Sequence, residues 1–354
     1  MNKMLDLYSD YLISQNKLAT ATGLSDLMDG QISHDKVSRL LNRLSFNSKD
    51  LWEFVKPDVR KAQSIDDGVL ILDDCIEEKP YTDENDIICW HYSHAKGTHV
   101  KGVNLLSCLV RYGDISYPIG YEIIQKDVMY FCEKEQKKKR RSKITKNEYF
   151  RNLIKQASKN SINFKYVLAD NWFGAKDNLE FLQKMKKFFI IGIKSNRTVA
   201  LTKGDKIGGK FKKVSEIDIK EDQAIVVYLK GIEFALKLIK KVFINENGST
   251  GTLYLVSNDL NQDSDHLYSI YKKRWNIEEY HKSIKQNSSL AKSPTKVVRS
   301  QSNHIFASII GFCKLQALQL KRSINHFALK YKLILKANQA AMKELFRLRK
   351  FESA

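Results

Sequence analysis

The chain has 354 residues, a formal net charge of +20 and a hydrophobic content of 43%. The length allows two or three domains, and the hydrophobic content excludes wholesale disorder. No apolar run approaches the ~18 residues of a membrane span, so we expect no membrane contact, and the charge makes a polyanion the natural partner.

The N-terminal part of the chain is predicted to be helical. It opens with MNKMLDLYSDYLIS, which carries acids and lacks a signal-peptide pattern, so we expect a cytoplasmic protein. In SHDKVSRLLNRL, Ser33 is the predicted N-cap, and apolar residues follow at helical spacing. Lys36, Arg39 and Arg43 share another face of this helix, and Gly30 precedes it. The pattern fits a helix-turn-helix that binds DNA and equally fits a plain helical bundle.

A change of pattern follows this helical part. KPDVRKAQSIDDG is predicted to be a linker, with Pro57 ending the preceding helix. VLILDD is a continuous apolar run closed by Asp73 and Asp74, which indicates a buried strand. VNLLSCLVRYGDISYPIGYEII predicts two strands joined by a turn at Gly113 and Asp114.

The cysteines are scattered and form no CxxC pair, which indicates a reducing compartment. CWHYSHAKGTH brings Cys89, His91, His94 and His99 close together in the sequence. Their spacing matches none of the common zinc-ligand patterns, so we expect no zinc site there.

Helices and strands alternate in the next part of the chain. The basic run EKEQKKKRRSK is predicted to be a mobile loop. TKNEYFRNLIKQASKN opens with Thr145 and Glu148 at capping-box spacing and predicts a helix. FKYVLAD is a predicted strand ending at Asp170, AKDNLEFLQKMKK a helix and FFIIGIKS a strand. This order predicts a mixed sheet with helices packed on it, and the carboxyl ends of its strands are where a site is expected.

The last third of the chain changes from strands to helices. Short apolar runs separated by Gly, Asp and Asn turns predict a β-rich insertion over residues 196–262. The next helix is predicted to begin near residues 263–265. Beyond Pro294 we expect helices to the end, the last of them basic and amphipathic.

That next helix contains the unusual stretch YKKRWNIEEYHKSIKQ, residues 271–286. A helix turns by about 100° per residue, so four side chains share an arc of about 60°, with Lys282 beside them. The four are Tyr271, Arg274, Glu278 and Lys285. An exposed helix held by i,i+4 ion pairs explains this stripe, and so does one wall of an active site.

Carboxylates from three distant segments favour the active site. They are Asp73 or Asp74 on the first strand, Asp170 on a later strand and Glu278 on the late helix. In a strongly basic protein, such a set can hold two divalent metal ions that act on a phosphodiester.

At these residues the chain resembles the DDE transposases of bacterial insertion sequences, in particular the cut-and-paste group with the YREK signature, Y-x2-R-x3-E-x6-K. Tyr271, Arg274, Glu278 and Lys285 keep that spacing without a gap. The resemblance covers roughly residues 65–320.

The other two acids of the family also have counterparts. LADNWF supplies the second acid, Asp170, and the aromatic residue Phe173. LDDCIEEK supplies the first acid, with Cys75 where the family usually has Thr. The family's acid directly precedes that Thr, so the resemblance implies Asp74. Asp73 is the alternative, on the opposite side of the strand.

The resemblance implies a catalytic site in which Asp74, Asp170 and Glu278 bind two Mg²⁺ ions, for which Mn²⁺ can substitute. A water nicks a transposon end, and the freed 3′-OH then attacks a phosphodiester. The implied partner is double-stranded DNA with terminal inverted repeats, bound by a homodimer in a synaptic complex. The implied location is the cytoplasm of a bacterium, in association with the nucleoid.

Some DNA contacts follow from the same resemblance. Tyr271, Arg274 and Lys285 would grip the DNA near the cleaved phosphate, with Lys282 beside them. Core packing is the expected role of Trp172 and Trp275, and stacking on an extruded base is the alternative.

The resemblance and the residue patterns together predict an α/β fold. It has an RNase H-like mixed sheet with flanking helices, a β-strand-rich insertion before the last catalytic acid and a helical N-terminal DNA-binding domain. The expected divisions are residues 1–62 (DNA-binding), 63–195 (first part of the catalytic core), 196–262 (insertion), 263–322 (second part of the core) and 323–354 (helical tail).

Two other functions remain open. The chain could be a catalytically silent, domesticated DNA-binding protein derived from a transposase, although the presence of all three acids argues against this. It could also be another RNase H-like nuclease, such as a junction resolvase, which fits the acids but not the signature spacing.

Overall fold

The computed structural model describes residues 2–63, 67–94, 96–221, 223–245 and 248–351. The chain begins with helices, as predicted. They are α1 (Lys3–Ser14), α2 (Ala21–Leu27), α3 (His34–Arg43) and α4 (Ser48–Ala62). Ser33 caps α3, because its side chain accepts a hydrogen bond from the backbone N–H of Lys36. Gly30, in the turn before α3, has a φ of +74°, which glycine adopts without strain.

The predicted end of a helix at Pro57 is wrong, because α4 runs through this residue. Proline in a helix interior costs about 3 kcal/mol. A capping box between Asn47 and Asp50 starts the helix, and its apolar face packs on the sheet with Val55 only 2% exposed. Capping and burial together offset the cost of the proline. Part of the predicted linker, residues 64–66, lies outside the described residues.

The middle of the chain forms a large mixed sheet with flanking helices, which confirms the predicted architecture. In chain order the elements are β1 (Val69–Glu78), β2 (Ile88–Ser93), β3 (Thr98–Tyr112), β4 (Ile115–Ile123), β5 (Val128–Cys132), β6 (Lys137–Arg141), α5 (Lys146–Lys159), β7 (Tyr166–Ala169), α6 (Lys176–Lys184) and β8 (Phe188–Ile193). β1 is parallel to β7, and β7 is parallel to β8. β3 is antiparallel to β1 and carries β2 and β4 along its other edge.

The predicted mobile loop over the basic run is wrong, because most of this run belongs to the hairpin of β5 and β6. The apolar sequence VMYFC of β5 has high strand propensity and pairs with KKKRR of β6. In the turn, Glu135 forms ion pairs with Lys137 and Lys139. These pairs reduce the repulsion among the cations, so the basic strand can form.

The predicted β-rich region extends the large sheet. Its elements are β9 (Thr198–Ala200), α7 (Lys203–Ile207), β10 (Lys212–Lys213), β11 (Ala224–Leu229), β12 (Leu236–Ile244) and β13 (Thr250–Ser257). β13 is antiparallel to β8, so these strands continue the same sheet. The short helix α7 was not predicted.

Helices complete the described chain, as predicted. They are α8 (Ser264–Lys272), α9 (Trp275–Gln286), α10 (Val298–Arg322) and α11 (His326–Phe351). α8 begins where expected, because the Asp263 side chain accepts a hydrogen bond from the backbone N–H of His266. Among the described residues, no helix combines the length and apolarity needed to cross a membrane.

The prediction of one continuous helix over residues 271–286 is wrong, because the helix is interrupted between α8 and α9. The backbone tightens there to i→i−3 hydrogen bonds, including the N–H of Arg274 to the carbonyl of Tyr271. The Asn276 side chain also donates to the carbonyl of Lys273, in competition with the helical bond.

The N-terminal helices share a continuous apolar core with the sheet. α1 and α3 both pack on α10, which also contacts α9. Polar contacts join the same elements, since the Tyr8 hydroxyl lies 2.9 Å from Nδ1 of His304. Asn303 donates to the carbonyls of Leu41 and Leu44 near the end of α3. The N-terminal helices are therefore docked on the helices that follow the sheet.

Candidate active site

The register of β1 and β7 brings the strand acids together. Leu72 of β1 pairs with Ala169 of β7 in parallel register. Asp73 is the next residue of β1, and Asp170 directly follows the end of β7. β1 continues to Glu78 because it stays paired with β3, so the expectation that this strand ends at its acids is wrong. α9 packs against β1 and carries Glu278 in its first turn. Carboxylates from all three predicted segments therefore lie close together beside the carboxyl end of β7.

Asp73 is joined to the signature residues by Arg274. Nη1 of Arg274 lies 2.8 Å from Oδ2 of Asp73 and 3.3 Å from Oε1 of Glu278. The other carboxylate oxygen of Asp73 accepts a hydrogen bond from the backbone N–H of Asp74. Burial raises the pKa of Asp73 to about 8, and the charge of Asp170 adds to this, while Arg274 opposes it. One guanidinium thus holds two acids that are distant in the sequence.

Asp74 points to the opposite side of β1 and has different partners. Oδ1 accepts a hydrogen bond from Nζ of Lys146 at 2.7 Å, and Oδ2 accepts one from Nδ2 of Asn104 at 2.8 Å. Lys146 opens α5, and Asn104 lies on β3. The sequence did not indicate either contact, because both depend on pairing and packing between distant segments.

Asp170 lies within electrostatic reach of both acids on β1. Burial raises the pKa of its carboxyl group, the N–H of Trp172 lowers it by a hydrogen bond of 3.0 Å to Oδ1, and the charge of Asp74 raises it again. Asp170 is also the largest of the charges that raise the pKa of Asp73. The negative charges of these carboxylates therefore raise one another's pKa, in addition to the effect of burial.

The donor set fits a hard divalent cation, although its side chains are paired with cations in this structure. Carboxylate oxygens are the ligands that Mg²⁺ prefers. Burial is the main cause that raises the pKa values of Asp73 and Asp170, and neighbouring carboxylates add to it. Across the described ranges, no three His, Cys, Asp or Glu side chains lie together as ligands of one ion. Arg274 and Lys146 contact the carboxylates instead and would have to move for an ion to bind.

Two further signature residues fasten the strands that carry the acids. The Tyr271 side chain is 7% exposed, and its hydroxyl lies 3.5 Å from the carbonyl oxygen of Ala169. Burial is the main cause that raises its pKa to about 12. Nζ of Lys285 donates to the carbonyl of Ile76 on β1 at 2.8 Å and lies 3.8 Å from Oε2 of Glu77. Tyr271, Arg274 and Lys285 of the predicted stripe therefore contact the sheet, whereas the Glu278 side chain is 43% exposed.

The other predicted DNA contacts lie elsewhere. Nζ of Lys282 lies 5.2 Å from the ring centroid of Phe327 on α11, so this lysine stands against a C-terminal helix. Lys36, Arg39 and Arg43 are exposed on α3, whose apolar residues face the core. These four cations are not among the groups that contact the carboxylates.

The expectation of core packing is wrong for both tryptophans. Trp172 is 42% exposed and Trp275 is 64% exposed. Lys146 lies 4.5 Å from the centroid of the Trp172 ring, so this ring stands beside Asp74 and Asp170. The turn after β7 and the first residue of α9 project these two side chains outward.

Comparisons with known proteins identify the family of the chain. Residues 1–205 match the model of a family described as DDE superfamily endonuclease, and residues 139–310 match the transposase DDE domain. A search of curated proteins gives no match. Among solved structures, a chain of the Drosophila P element transposase strand transfer complex aligns with 53% of this chain at 11% identity and a TM-score of 0.27. The alignment spans 36% of that chain.

Proposed function

Because the chain belongs to the DDE superfamily of endonucleases, we propose that it is a cut-and-paste transposase of an insertion sequence. It binds the ends of that element and catalyses metal-dependent hydrolysis and strand transfer of phosphodiesters in DNA. One observation carries the proposal. Arg274 joins Asp73 of β1 to Glu278 of α9 next to the end of β7, which Asp170 follows. Carboxylates that come together from three distant segments are a common way to bind divalent metal ions.

The acids and the cations of the site have different proposed roles. Asp170, Glu278 and one acid of β1, either Asp74 or Asp73, would hold two Mg²⁺ ions, or Mn²⁺ in their place. Bound there, the ions supply an activated oxygen nucleophile and stabilise the leaving oxygen. Arg274 and Lys146, the cations now paired with the carboxylates, become available to the phosphates of the cleaved strand when the ions take their place.

The proposed substrate is double-stranded DNA with terminal inverted repeats, held by a homodimer in a synaptic complex. The net charge of +20 supports a polyanionic partner. We propose that α3 takes part in end recognition, because Lys36, Arg39 and Arg43 are exposed on it. Cytoplasmic location in association with the nucleoid would follow from this substrate.

Replacing Glu278 with glutamine tests the proposal. We expect Glu278→Gln to bind end DNA almost normally and to cleave it at least ~10²-fold more slowly, because a charged ligand is lost from the site. Glu279→Gln is the matched control, since Glu279 is its exposed neighbour, about 100° away on the helix. The measurement is cleavage of DNA carrying the element's ends, with and without Mg²⁺. Full cleavage by Glu278→Gln would contradict the assignment.

The same assay separates Asp74 from Asp73. The resemblance implies Asp74 as the metal ligand, whereas the contact of Arg274 with both Asp73 and Glu278 puts Asp73 on the side of Glu278. Asp74 faces the other side of β1, where it is paired with Lys146. If Asp74 is the ligand, Asp74→Asn should lose cleavage and Asp73→Asn should keep measurable activity, since an amide can still accept the Arg274 hydrogen bond. The reverse result would move the first acid by one residue and leave the mechanism intact.

The alternative functions give different results in this assay. A catalytically silent, domesticated DNA-binding protein would bind the ends and cleave nothing in any metal. Another RNase H-like nuclease would cleave in Mg²⁺ without a preference for the element's ends.

A further inference from the structure

Strand β2 carries exposed aromatic side chains on one face. Trp90 is 51% exposed and Tyr92 is 49% exposed, whereas Cys89 and His91 between and beside them are buried. The alternation shows that the other face of β2 supplies the core packing. β2 lies at the edge of the large sheet, where exposed rings favour aggregation unless a partner uses them.

These rings connect to the candidate active site through a row of ring contacts. Tyr92 lies 5.4 Å from His99 and 5.0 Å from His94, between ring centroids. His94 lies 6.5 Å from Trp172. Trp172 in turn stands over Lys146, the partner of the Asp74 carboxylate. The row therefore begins at the acids and runs outward along β2.

At its outer end the row enters a cleft of ≈ 630 Å³ between β2 and the β5–β6 hairpin. Cations outnumber acids among the side chains that line it, which include Trp90, His99, Lys126, Tyr130, Lys138 and Lys139. Glu135, one of the lining acids, is paired with Lys137 and Lys139. The cleft thus combines aromatic rings with positive charge.

We propose that this aromatic track, formed by Trp172, His94, Tyr92, His99, Trp90 and the cleft, binds an unpaired DNA strand next to the catalytic acids. Rings that accept stacked bases, together with cations that follow the phosphates, are what single strands require. A duplex keeps its bases paired and stacked and would use the cations alone. This proposal rests on the proposed function, because cleavage at the catalytic acids is what would produce the unpaired strand.

The test measures binding of a fluorescein-labelled oligo-dT of about 12 nucleotides and of a mixed-sequence duplex of the same length. Fluorescence anisotropy without divalent metal compares the wild type with Trp90→Ala/Tyr92→Ala. We expect affinity for oligo-dT to fall about tenfold or more, since each stacked base contributes substantially, and duplex affinity to change by less than about twofold. Trp90→Phe/Tyr92→Phe should restore binding, because phenylalanine keeps a stacking face.

Tyr331→Ala on α11 is the matched control, since its ring is 66% exposed on another part of the surface. Unchanged binding of oligo-dT by the alanine variant, or an equal loss for the duplex, would overturn the proposal. Photocrosslinking of wild type to oligo-dT containing 5-iodouracil does not depend on variant folding. Crosslinks are expected in residues 88–99, and crosslinks confined to other segments would also overturn it.

The result is independent of the cleavage assay. If oligo-dT binding depends on the β2 rings while Glu278→Gln cleaves normally, the catalytic proposal fails and the track remains. If Glu278→Gln loses cleavage while the rings prove dispensable, only the track fails.

Discussion

The cations of the signature and the cations of the β5–β6 hairpin differ in what surrounds them. Arg274 and Lys285 are partly buried, and each is bound to groups of the fold: two carboxylates for Arg274, and the Ile76 carbonyl for Lys285. Lys137 and Lys138 are exposed on an edge of the molecule. A count of charges treats these two groups of cations alike. Their burial predicts different roles: Arg274 and Lys285 hold the catalytic acids in position, and Lys137 and Lys138 attract DNA.

The physical reason lies in what is left when a cation is removed. A buried carboxylate that loses its partner retains its desolvation cost, whereas an exposed lysine is screened by water and salt. Substitutions in the two groups should therefore have different signatures in stability, cleavage and salt dependence.

The largest effect is expected for Arg274→Gln. It removes the group that joins Asp73 to Glu278, so we expect cleavage to be lost. At a pH of about 9, above the Asp73 pKa of about 8, we expect the free energy of unfolding to fall by about 3 kcal/mol. Single-turnover cleavage measures the first effect and urea unfolding the second. Adding Asp73→Asn should recover part of the stability, because the buried charge that needed the guanidinium is gone. Additive losses in the double variant would show that the pair does not interact.

A smaller effect is expected for Lys285→Ala. The lysine fastens α9 to the β1 backbone at Ile76, so its loss should displace the acids slightly. We expect cleavage by the bound complex to slow by roughly 10–100-fold, the range seen for groups that orient metal ligands. Affinity for DNA should hardly change. Single-turnover cleavage at saturating protein, beside a binding titration, is the measurement. Normal cleavage once bound would mean that this contact does not support the site.

The smallest effect on chemistry is expected in the hairpin. Lys137→Ala/Lys138→Ala should weaken DNA binding and reduce the slope of log affinity against log salt by about one for each phosphate that the variant no longer neutralises. The cleavage rate at saturation should stay near the wild-type value. Lys336→Ala/Lys343→Ala, on exposed positions of α11, removes the same charge elsewhere. If both variants change the salt dependence of DNA binding equally, the hairpin lysines contribute no more to binding than other surface lysines.

Much of the fold could be predicted because local signals dominate where strands are buried and helices are capped. The apolar run before Asp73 and the capping box of Thr145 and Glu148 specified β1 and α5 without tertiary information. The matched families confirm the resemblance to DDE transposases. The YREK subgroup and bacterial origin stay predictions.

The remainder depends on contacts between distant segments. Pro57 stays in α4 because the helix packs on the sheet, and the basic run becomes a strand because β5 pairs with it. Strand β2 was not predicted, since its partner β3 supplies the pairing. Lys146 and Asn104 reach Asp74 only after α5 and β3 are in place. Spacing in one sequence carries no record of such contacts.

Because Leu72 pairs with Ala169 in parallel register, the site is sensitive to the deletion of a residue as well as to substitutions. Successive side chains of a strand face opposite sides, so the loss of one residue at the start of β1 would move Asp74 to the position of Asp73 and Cys75 to that of Asp74. Arg274 would then meet the other carboxylate, and Lys146 would lose its partner. Single-codon deletions in β1 should therefore inactivate the protein even when every acid is still encoded.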